Sequence, residues 1–290
     1  MLDVGFKNVK RTIEEILQWA VRELATATDR PQLEAQVLLA HVLERPRTFV
    51  MAHHEAALAP EQEERFAAII ARRRQNEPLP YLTGRVEFFG LELTVTPAVL
   101  IPRPETELIV ETALDWLRAR PLATAVDVGA GSGCLAVTLA VHAPKARCYA
   151  IDISTEALAI ARSNALRHKV DGRITFLEGD LLEPLPEPVD VIVSNPPYVA
   201  DAEWNALPPS VKREPRLALT SGADGLDALR RLLAQAPQAL HSGGLLLCEI
   251  GERQGAAVQA LAQSAFPNAN VQILPDLAGK PRTLRVDCAA

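Results

Sequence analysis

The spacing of apolar residues changes character roughly eighty residues into the chain. Before that point, apolar residues recur at intervals of three and four, which is typical of amphipathic helices. The following sets predict helices: Ile16, Leu17, Ala20 and Leu24 after a capping box at Thr12–Glu15; Leu33, Val37, Ala40 and His41; and Phe66, Ile69 and Ile70 after Pro60. The pattern therefore predicts an all-helical domain over residues 1–80.

Prolines and glycines interrupt the pattern next. The run F-F-G-L-E-L-T-V (88–95) alternates apolar and polar positions on either side of a glycine, which predicts a β-hairpin. We therefore expect residues 81–100 to form a hairpin linker between two domains.

Short apolar runs then alternate with helical patterns over residues 101–290. The runs that predict strands are Ala125–Val128, Cys148–Ile153, Ile174–Leu177, Val189–Ser194, Leu245–Ile250, Val271–Leu274 and Thr283–Val286. Helices are predicted at Glu105–Arg118, Cys134–His142, Thr155–His168 and Leu226–Leu240. Alternation of this kind predicts an α/β domain with a mostly parallel sheet covered on both faces. Ligands of such folds bind at the carboxyl ends of the strands, so we expect the functional site there.

Composition and charge narrow the class of protein. The formal net charge is −6, and neither residues 1–80 nor the remainder carries a basic excess, so nucleic acid is disfavoured as the main partner. No apolar stretch reaches the ~20 residues of a membrane span, and the N-terminal segment lacks a signal-peptide core. The four cysteines are widely spaced without a C-x-x-C pair, which indicates reduced thiols and no metal site. These features predict a cytoplasmic protein.

The first predicted strand of the sheet runs into D-V-G-A-G-S-G-C (127–134). Its glycines allow close approach to a ligand, but Cys134 stands where a dinucleotide fingerprint needs its third glycine, and no P-loop lysine follows. Asp152 ends the next strand, where a carboxylate can accept both ribose hydroxyls. Asp180 follows a third strand and can accept from an exocyclic amine. Read separately, these aspartates are a helix cap and a turn residue; together with the glycines they predict a site for an adenosine-bearing cofactor.

A further strand ends in V-S-N-P-P-Y-V (193–199). The two prolines end the ladder and hold the turn rigid, which by itself is compatible with a structural turn or with the edge of an active site. Asn195 offers an amide oxygen, and a proline-flanked carbonyl lies beside it. Both can accept hydrogen bonds from a planar –NH₂ group and so increase the electron density on its nitrogen. Tyr198 can stack on that group or face a cationic cofactor. Methyl transfer to a planar –NH₂ fits these residues, with positioning as the largest contribution.

Taken in order, the motifs resemble those of the release factor glutamine N5-methyltransferases, the HemK/PrmC family, over nearly the whole chain. The matching motifs are I-P-R-P-E-T-E (101–107), D-V-G-A-G-S-G-C, Asp152, G-D-L (179–181), S-N-P-P-Y (194–198), E-P-R-L-A-L (214–219), D-G-L-D (224–227) and E-I-G-x-x-Q-G (249–255). N-P-P-Y alone also occurs in methyltransferases of adenine or cytosine amino groups. This sequence departs from the family pattern at Ala130, where threonine is common, and at Gly222–Asp224, where a second glycine is common.

The resemblance implies a class I methyltransferase fold, a Rossmann-like seven-stranded mostly parallel sheet, and S-adenosylmethionine as cofactor. It implies the following cofactor-binding residues: Arg103, Glu105, Gly129, Ala130, Gly131, Ser132, Gly133, Asp152, Ile153, Asp180, Leu181 and Asn195. Arg103 and Glu105 match a loop that closes over the methionine end of the cofactor, although these two residues also suit a capping turn. The residues expected to hold the substrate are Asn195, Pro196, Pro197 and Tyr198, of which Asn195, Pro196 and Tyr198 are expected to be catalytic.

The implied substrate is the glutamine of the Gly-Gly-Gln motif in class 1 peptide chain release factors, and residues 1–80 are expected to dock that partner. Alternatives remain at this stage: a glutamine methyltransferase of a ribosomal protein, an amino methyltransferase of DNA or RNA, or a non-enzymatic scaffold. Base flipping would call for a basic groove that the acidic balance does not supply. The intact glycines, Asp152 and Asn195 argue against a scaffold.

Overall fold

A computed structural model of the chain describes residues 11–120 and 122–289. Residues 1–10, whose lack of an apolar core contributed to the expectation of a cytoplasmic protein, lie outside the described residues. The chain forms two compact units. The first extends to Gly84 and includes Pro209–Arg213; the second contains Arg85–Pro208 and the chain from Glu214 onward.

The first unit is helical. Its helices are α1 (Ile13–Leu24), α2 (Pro31–Leu43), α3 (Arg47–Ala52), α4 (Pro60–Arg74) and α5 (Leu79–Thr83). The predicted capping box is confirmed, because Thr12 Oγ1 accepts from the Glu15 backbone N–H and a Glu15 carboxylate oxygen accepts from the Thr12 N–H. The apolar faces of these helices meet in one core around Phe66.

The predicted helix α2 is confirmed, although of the four residues whose spacing predicted it only Ala40 is buried. Leu33, Val37 and His41 are only partly buried. The fully buried positions are Ala35, Leu38, Leu39, Ala40 and Val42. Apolar residues occupy most sides of this helix, so their spacing does not single out the face that the other helices cover.

The second unit alternates strands and helices after an initial hairpin. Its strands are β1 (Arg85–Phe88), β2 (Leu91–Thr94), β3 (Thr124–Val128), β4 (Arg147–Asp152), β5 (Ile174–Glu178), β6 (Val189–Ser194), β7 (Leu240–Glu249), β8 (Asn270–Pro275) and β9 (Pro281–Asp287). Its α-helices are α6 (Glu107–Arg118), α7 (Cys134–His142), α8 (Thr155–Arg167), α9 (Asp227–Ala239) and α10 (Gly255–Ala265). Single-turn 3₁₀ helices of this unit lie at Pro104–Thr106, Asp171–Arg173 and Arg216–Ala218, and a longer one at Asp201–Ala206, whereas the single turn at Val211–Arg213 belongs to the first unit.

Strands β3–β9 form the predicted mostly parallel sheet, in the order β5-β4-β3-β6-β7-β9-β8. Only β9 breaks the parallel arrangement, pairing antiparallel with both β7 and β8. Strand β7 begins at Leu240, where the sequence predicts the last residue of a helix. A shift in register between Val189 and Val191 of β6 accommodates the additional residues at the start of β7.

The hairpin β1–β2 belongs to the second unit. Phe88 and Leu93 are buried in the core that α6 and α7 form with the sheet. Asn164 of α8 secures the end of β2: its Oδ1 accepts from the Thr94 N–H at 2.7 Å and its Nδ2 donates to the Thr94 carbonyl at 3.0 Å. The same Nδ2 donates to the carbonyl of Ser132, which fixes the loop after β3.

Strand order determines where the loops meet. Chain order runs outward from β3 through β4 to β5 on one side, and then returns to β6 on the other side of β3. The carboxyl ends of β3 and β6 therefore open on a crevice at the point where the order reverses, which is where folds of this kind bind ligands. Within the described ranges, no helix has the length and apolarity needed to cross a bilayer.

Candidate active site

A cavity of about 480 Å³ opens at the carboxyl ends of β3, β4, β5 and β6. This volume lies in the usual range for small-molecule sites. Of the residues predicted from the sequence, the cavity is lined by Gly129, Ala130, Gly131, Ser132, Asp152, Ile153, Asp180, Leu181, Asn195 and Pro197. The predicted residues that do not line it are Arg103, Glu105, Gly133, Pro196 and Tyr198.

The glycines in the loop after β3 have two different roles. Gly129 and Gly131 have φ of 74° and 55°, and no heavy atom lies within 4 Å of the position that a Cβ would occupy. Their backbone therefore borders open space in the cavity and takes a conformation that side chains disfavour. Gly133 differs, because a Cβ there would lie 3.0 Å from Cβ of Ala161. Gly133 is required for the close packing of α7 on α8.

Asp152 at the end of β4 holds the glycine loop in place. Its Oδ2 accepts from the Gly131 N–H at 2.8 Å and its Oδ1 accepts from the Ser154 N–H at 2.9 Å. Each carboxylate oxygen has a second lone pair, so the side chain can still accept from a ligand. Burial raises the pKa of Asp152, whereas the backbone hydrogen bonds oppose the rise. Ile153 extends the same wall with a side chain that is largely exposed.

Asp127 is a cavity residue for which the sequence suggested no role. It lies near the carboxyl end of β3 and is almost completely buried. Its Oδ2 accepts from the Ala136 N–H, near the start of α7, at 3.0 Å. Its Oδ1 is buried without a hydrogen-bond partner among the described residues. Burial raises the pKa of Asp127 to about 7. A buried acceptor on a cavity wall suits a cationic N–H donor on the ligand.

The turn after β5 contributes Asp180 and Leu181. Leu181 has a positive φ of 53° and lines the cavity. Asp180 also lines it, but its carboxylate is paired with Arg231 of α9, a partner that no local pattern in the sequence indicated. This ion pair places a cation as well as a carboxylate on the cavity wall.

The end of β6 supplies Asn195. Its Nδ2 donates to Thr106 Oγ1 at 3.0 Å, and its Oδ1 is buried without a hydrogen-bond partner in the described part of the chain. Pro197 lines the cavity beside it, whereas Pro196 is buried behind the wall. The Tyr198 hydroxyl donates to Glu249 Oε1 at 3.1 Å, and burial raises the pKa of this phenol well above its usual value.

Arg103 and Glu105 stand outside the cavity wall. Arg103 donates to Glu214 Oε1 at 2.5 Å, and Glu214 Oε2 accepts from the Ile101 N–H at 3.0 Å. Glu214 therefore fixes the loop 97–102, most of which lines the cavity. Glu105 is exposed on the first turn of a short 3₁₀ helix. Their expected role toward the cofactor remains a prediction.

The motifs D-G-L-D and E-I-G-x-x-Q-G meet behind Tyr198. Gln254 Nε2 donates to the Tyr198 carbonyl at 3.0 Å and lies within hydrogen-bond distance of the carbonyls of Asp224 and Gly225. A Cβ on Gly225 would lie 2.2 Å from the Tyr198 carbonyl oxygen. Gln254 therefore holds the N-P-P-Y turn in place through the Tyr198 carbonyl, and the lack of a side chain at Gly225 leaves room for that carbonyl.

The cysteines are free thiols; Cys148 and Cys248 are buried, and Cys134 lines the cavity. Burial raises the pKa of the Cys148 thiol to about 12 and that of Cys134 further, so both are protonated at neutral pH and poor nucleophiles. Among residues 11–120 and 122–289, no three His, Cys, Asp or Glu side chains converge in a way that could hold a metal ion.

The chemical capacity of the cavity follows from polar atoms on its wall that are buried without a hydrogen-bond partner among the described residues. These atoms are Asp127 Oδ1, Ser132 Oγ and Asn195 Oδ1. The open glycine loop lines the same cavity. The arrangement suits a ligand with an ammonium group next to the glycine loop and an –NH₂ group next to Asn195.

Comparisons with known proteins agree with this geometry. Residues 15–84 match the family described as the PrmC N-terminal domain, and residues 106–208 match the methyltransferase small domain. A release factor glutamine methyltransferase of Moorella thermoacetica is 47% identical over 93% of this chain and 96% of its own length. A release factor glutamine methyltransferase of Bordetella pertussis is 42% identical over 90% of this chain and 97% of its own length.

A solved methyltransferase structure from Pyrococcus furiosus superposes with a TM-score of 0.51 at 15% identity, over 80% of this chain and 100% of its own, and supports the fold alone. The expected class I methyltransferase fold is confirmed. On the strength of the two sequence relatives, this chain belongs to the family of release factor glutamine methyltransferases.

Proposed function

We propose that this protein transfers a methyl group from S-adenosylmethionine to the side-chain amide nitrogen of the Gly-Gly-Gln glutamine in class 1 peptide chain release factors, and so supports translation termination. The observation that carries the proposal is Asn195 Oδ1, an acceptor on the cavity wall just after β6 that is buried with no donor among residues 11–120 and 122–289. The family membership and the names of the relatives support the same reaction.

The residues present fit the cofactor. Asp127 Oδ1 offers a buried acceptor for the ammonium of the methionine part. Gly129 and Gly131 leave room for close approach, and Asp152 retains lone pairs for the ribose hydroxyls. Ile153 and Leu181 offer apolar surface for the adenine. When bound, S-adenosylmethionine supplies an electrophilic methyl carbon.

The contribution of this chain to the reaction is positioning and polarisation. An amide nitrogen is a poor nucleophile because its lone pair is delocalised into the carbonyl. Asn195 Oδ1 and the carbonyl after it accept hydrogen bonds from the two amide hydrogens, which orients the nitrogen and increases its electron density. Each bond contributes on the order of 1 kcal/mol, whereas correct orientation of the reacting atoms contributes up to ~7–11 kcal/mol. Positioning is therefore the larger effect.

Residues 1–80 are proposed to dock the release factor, with residues 81–100 as the link to a catalytic part at 101–290. Arg103 and Glu105 are proposed to act at the methionine end of the cofactor, and Tyr198 beside the substrate amide. Since release factors act during translation, we also propose that the protein works in the cytoplasm.

Mass spectrometry tests the reaction directly. A release factor purified without its modifying enzyme is incubated with this protein and S-adenosylmethionine, and the tryptic peptide of the Gly-Gly-Gln tip is sequenced. We expect one added methyl group on the glutamine, and none with the Asn195→Ala variant or with a release factor whose tip glutamine is replaced by alanine. The exposed Asn268→Ala variant serves as the matched control and should methylate like the wild type.

If the release factor stays unmodified in a sample shown to bind S-adenosylmethionine, the proposed substrate is wrong, but the assignment as a methyltransferase stands. Ribosomal proteins would then be incubated in the same assay. Failure to bind the cofactor at all would overturn the proposed reaction.

A further inference from the structure

Four side chains form a continuous chain of hydrogen bonds that begins on the cavity wall, where Asn195 and Thr106 line the cavity, and continues behind it. Asn195 Nδ2 donates to Thr106 Oγ1 at 3.0 Å, and Thr106 Oγ1 donates to Glu249 Oε2 at 2.5 Å. The other carboxylate oxygen, Glu249 Oε1, accepts from the Tyr198 hydroxyl at 3.1 Å. Thr106 and Glu249 are almost completely buried. Neither was among the residues expected to act on a ligand.

The direction of this chain is determined by the number of hydrogens available. A hydroxyl group has one hydrogen, and Thr106 donates it to Glu249. The Thr106 oxygen can then only accept, so Asn195 must present its NH₂ to Thr106. Among the described residues the amide oxygen of Asn195 is left without a hydrogen-bond partner, on a residue that lines the cavity. By accepting the Thr106 hydrogen, the Glu249 carboxylate therefore dictates which end of the Asn195 amide meets the substrate.

The surroundings of Glu249 suit this role. Burial raises the pKa of Glu249, while the hydrogen bonds from Thr106 and Tyr198 and the charge of Arg282 oppose the rise. Both carboxylate oxygens accept, so the ionised form has a partner on each side. The strand end that holds Glu249 is paired with β9, where Glu249 lies opposite Thr283. The carboxylate is thus held by a rigid element and does not depend on a loop.

We propose that Glu249, acting through Thr106, is a positioning residue that fixes the Asn195 amide with its oxygen toward the methyl acceptor. This inference rests on the proposed function of the site. The orientation of the Asn195 amide also explains why the site should select an amide over a carboxylate. A glutamine at the tip of the release factor donates an N–H to the Asn195 oxygen, whereas a glutamate there presents only acceptors and is repelled.

The experiment compares Thr106→Val, Thr106→Ser and Glu249→Gln with the control Thr138→Val. Thr138 is buried, and its hydroxyl donates only to the Cys134 carbonyl within α7. Valine at position 106 keeps the shape but removes the hydroxyl, serine keeps the hydroxyl, and glutamine at position 249 keeps the shape but adds a donor. For each variant, kcat, KM, the Kd of S-adenosylhomocysteine and the melting temperature are measured.

A binding assay adds a readout that a purely structural role would not change. Release factors carrying glutamine or glutamate at the tip are titrated onto each variant with S-adenosylhomocysteine present. The wild type is expected to prefer glutamine by about tenfold, the equivalent of one lost hydrogen bond and one repulsive contact. Thr106→Val and Glu249→Gln should narrow that preference and lower kcat by about tenfold or more, while the cofactor Kd remains within about threefold. Thr106→Ser and Thr138→Val should behave like the wild type.

The inference would be overturned by an unchanged glutamine preference in Thr106→Val and Glu249→Gln, or by loss of activity in Thr106→Ser equal to that in Thr106→Val. A variant that binds both tips equally weakly and melts early would also count against it, because the effect would then be one of folding. Absence of methylation or of any tip preference in the wild type would instead contradict the proposed function.

Discussion

The cavity has two walls that are built in different ways. The glycine-loop wall consists of Asp127, residues 129–132 and Asp152, where side-chain carboxylates bond to backbone N–H groups of the loop and of the helix that follows it. The acceptor wall presents Asn195, Pro197 and Thr106 to the cavity, with Tyr198 and Glu249 behind it, and here side chains bond to one another. The backbone determines the shape of the glycine-loop wall. At the acceptor wall, the direction of each side-chain hydrogen bond determines which polar atoms face the cavity. We therefore expect added atoms to damage the first wall and substitutions that preserve shape to damage the second.

The largest effect is expected at the acceptor wall. Asn195→Ala removes the acceptor for the substrate amide, and kcat should fall by about 10²–10³-fold, as when one oriented hydrogen-bonding group is removed from an active site. The Kd of S-adenosylhomocysteine, measured by calorimetry, should change only a few-fold, because the glycine-loop wall is intact. A loss of cofactor binding comparable to the loss of kcat would show that the two walls do not act separately.

At the glycine-loop wall, Gly131→Ala should weaken cofactor binding by about tenfold, because the added Cβ projects toward the cavity and the φ of 55° disfavours alanine. The matched control is Gly279→Ala, which has a similar positive φ of 76° and no neighbouring atoms but lies in the exposed turn between β8 and β9. Both variants should lose about 1–2 kcal/mol of unfolding free energy. Equal cofactor affinity in the two variants would mean that Gly131 is needed only for its backbone conformation and not to leave space for the cofactor.

The pH dependence of cofactor binding is expected to follow Asp127, whose pKa burial raises to about 7. Below that pH the carboxyl is protonated and loses its attraction for an ammonium group, so affinity should fall by about tenfold per pH unit. Asp127→Asn should bind weakly at every pH between 6 and 8. Calorimetric titrations across that range check both statements, and a wild-type affinity independent of pH would contradict them.

The stability of the cofactor-free protein should depend on pH in the opposite sense. The folded state retains a proton on Asp127 that the unfolded chain releases, so the free energy of unfolding decreases as pH rises through about 7. Chemical denaturation at pH 6 and pH 8 should show this decrease in the wild type and a smaller one in Asp127→Asn. An equal slope in the two proteins would assign the titration to another group.

The smallest effect is expected for Tyr198→Phe. The change leaves Glu249 Oε1 without its donor but keeps the bond from Thr106, so the Asn195 amide retains its orientation. We expect a few-fold decrease in kcat and a loss of about 1 kcal/mol of stability. A decrease as large as that of Asn195→Ala would give the tyrosine ring a direct role beside the substrate.

The sequence predicted the glycine-loop wall better than the acceptor wall, and the reason is distance along the chain. Gly129 and Gly131 directly follow β3, and Asp152 ends the next strand, β4, so one motif and one strand end suffice to place them together. The bond between Thr106 and Glu249 spans 143 residues, and no local pattern indicates which carboxylate a buried threonine will meet. The partner of Asp180 was missed for the same reason, since Arg231 lies on a distant helix.

Elements were predicted where periodicity was sharp. Helix α7 matches its predicted bounds, and all seven strands of the sheet are present. The spacing in α2 does not single out its buried face because apolar residues occupy most of that helix, and the start of β7 was predicted wrongly because a register shift in β6 has no signature in the sequence. In each case, packing against another element decided what the local pattern left open.

Gln254 has a consequence for the order in which the enzyme matures. Its single NH₂ group lies within hydrogen-bond distance of carbonyls of Tyr198, Asp224 and Gly225, and it follows β7 in the chain. During synthesis the residues that hold the glycine loop, Asp152 and Asn164, are present once α8 has emerged, whereas the N-P-P-Y turn lacks the support of Gln254 until residue 254 has left the ribosome. We therefore expect a nascent chain to acquire cofactor-binding structure early and methyl-transfer competence only near its completion.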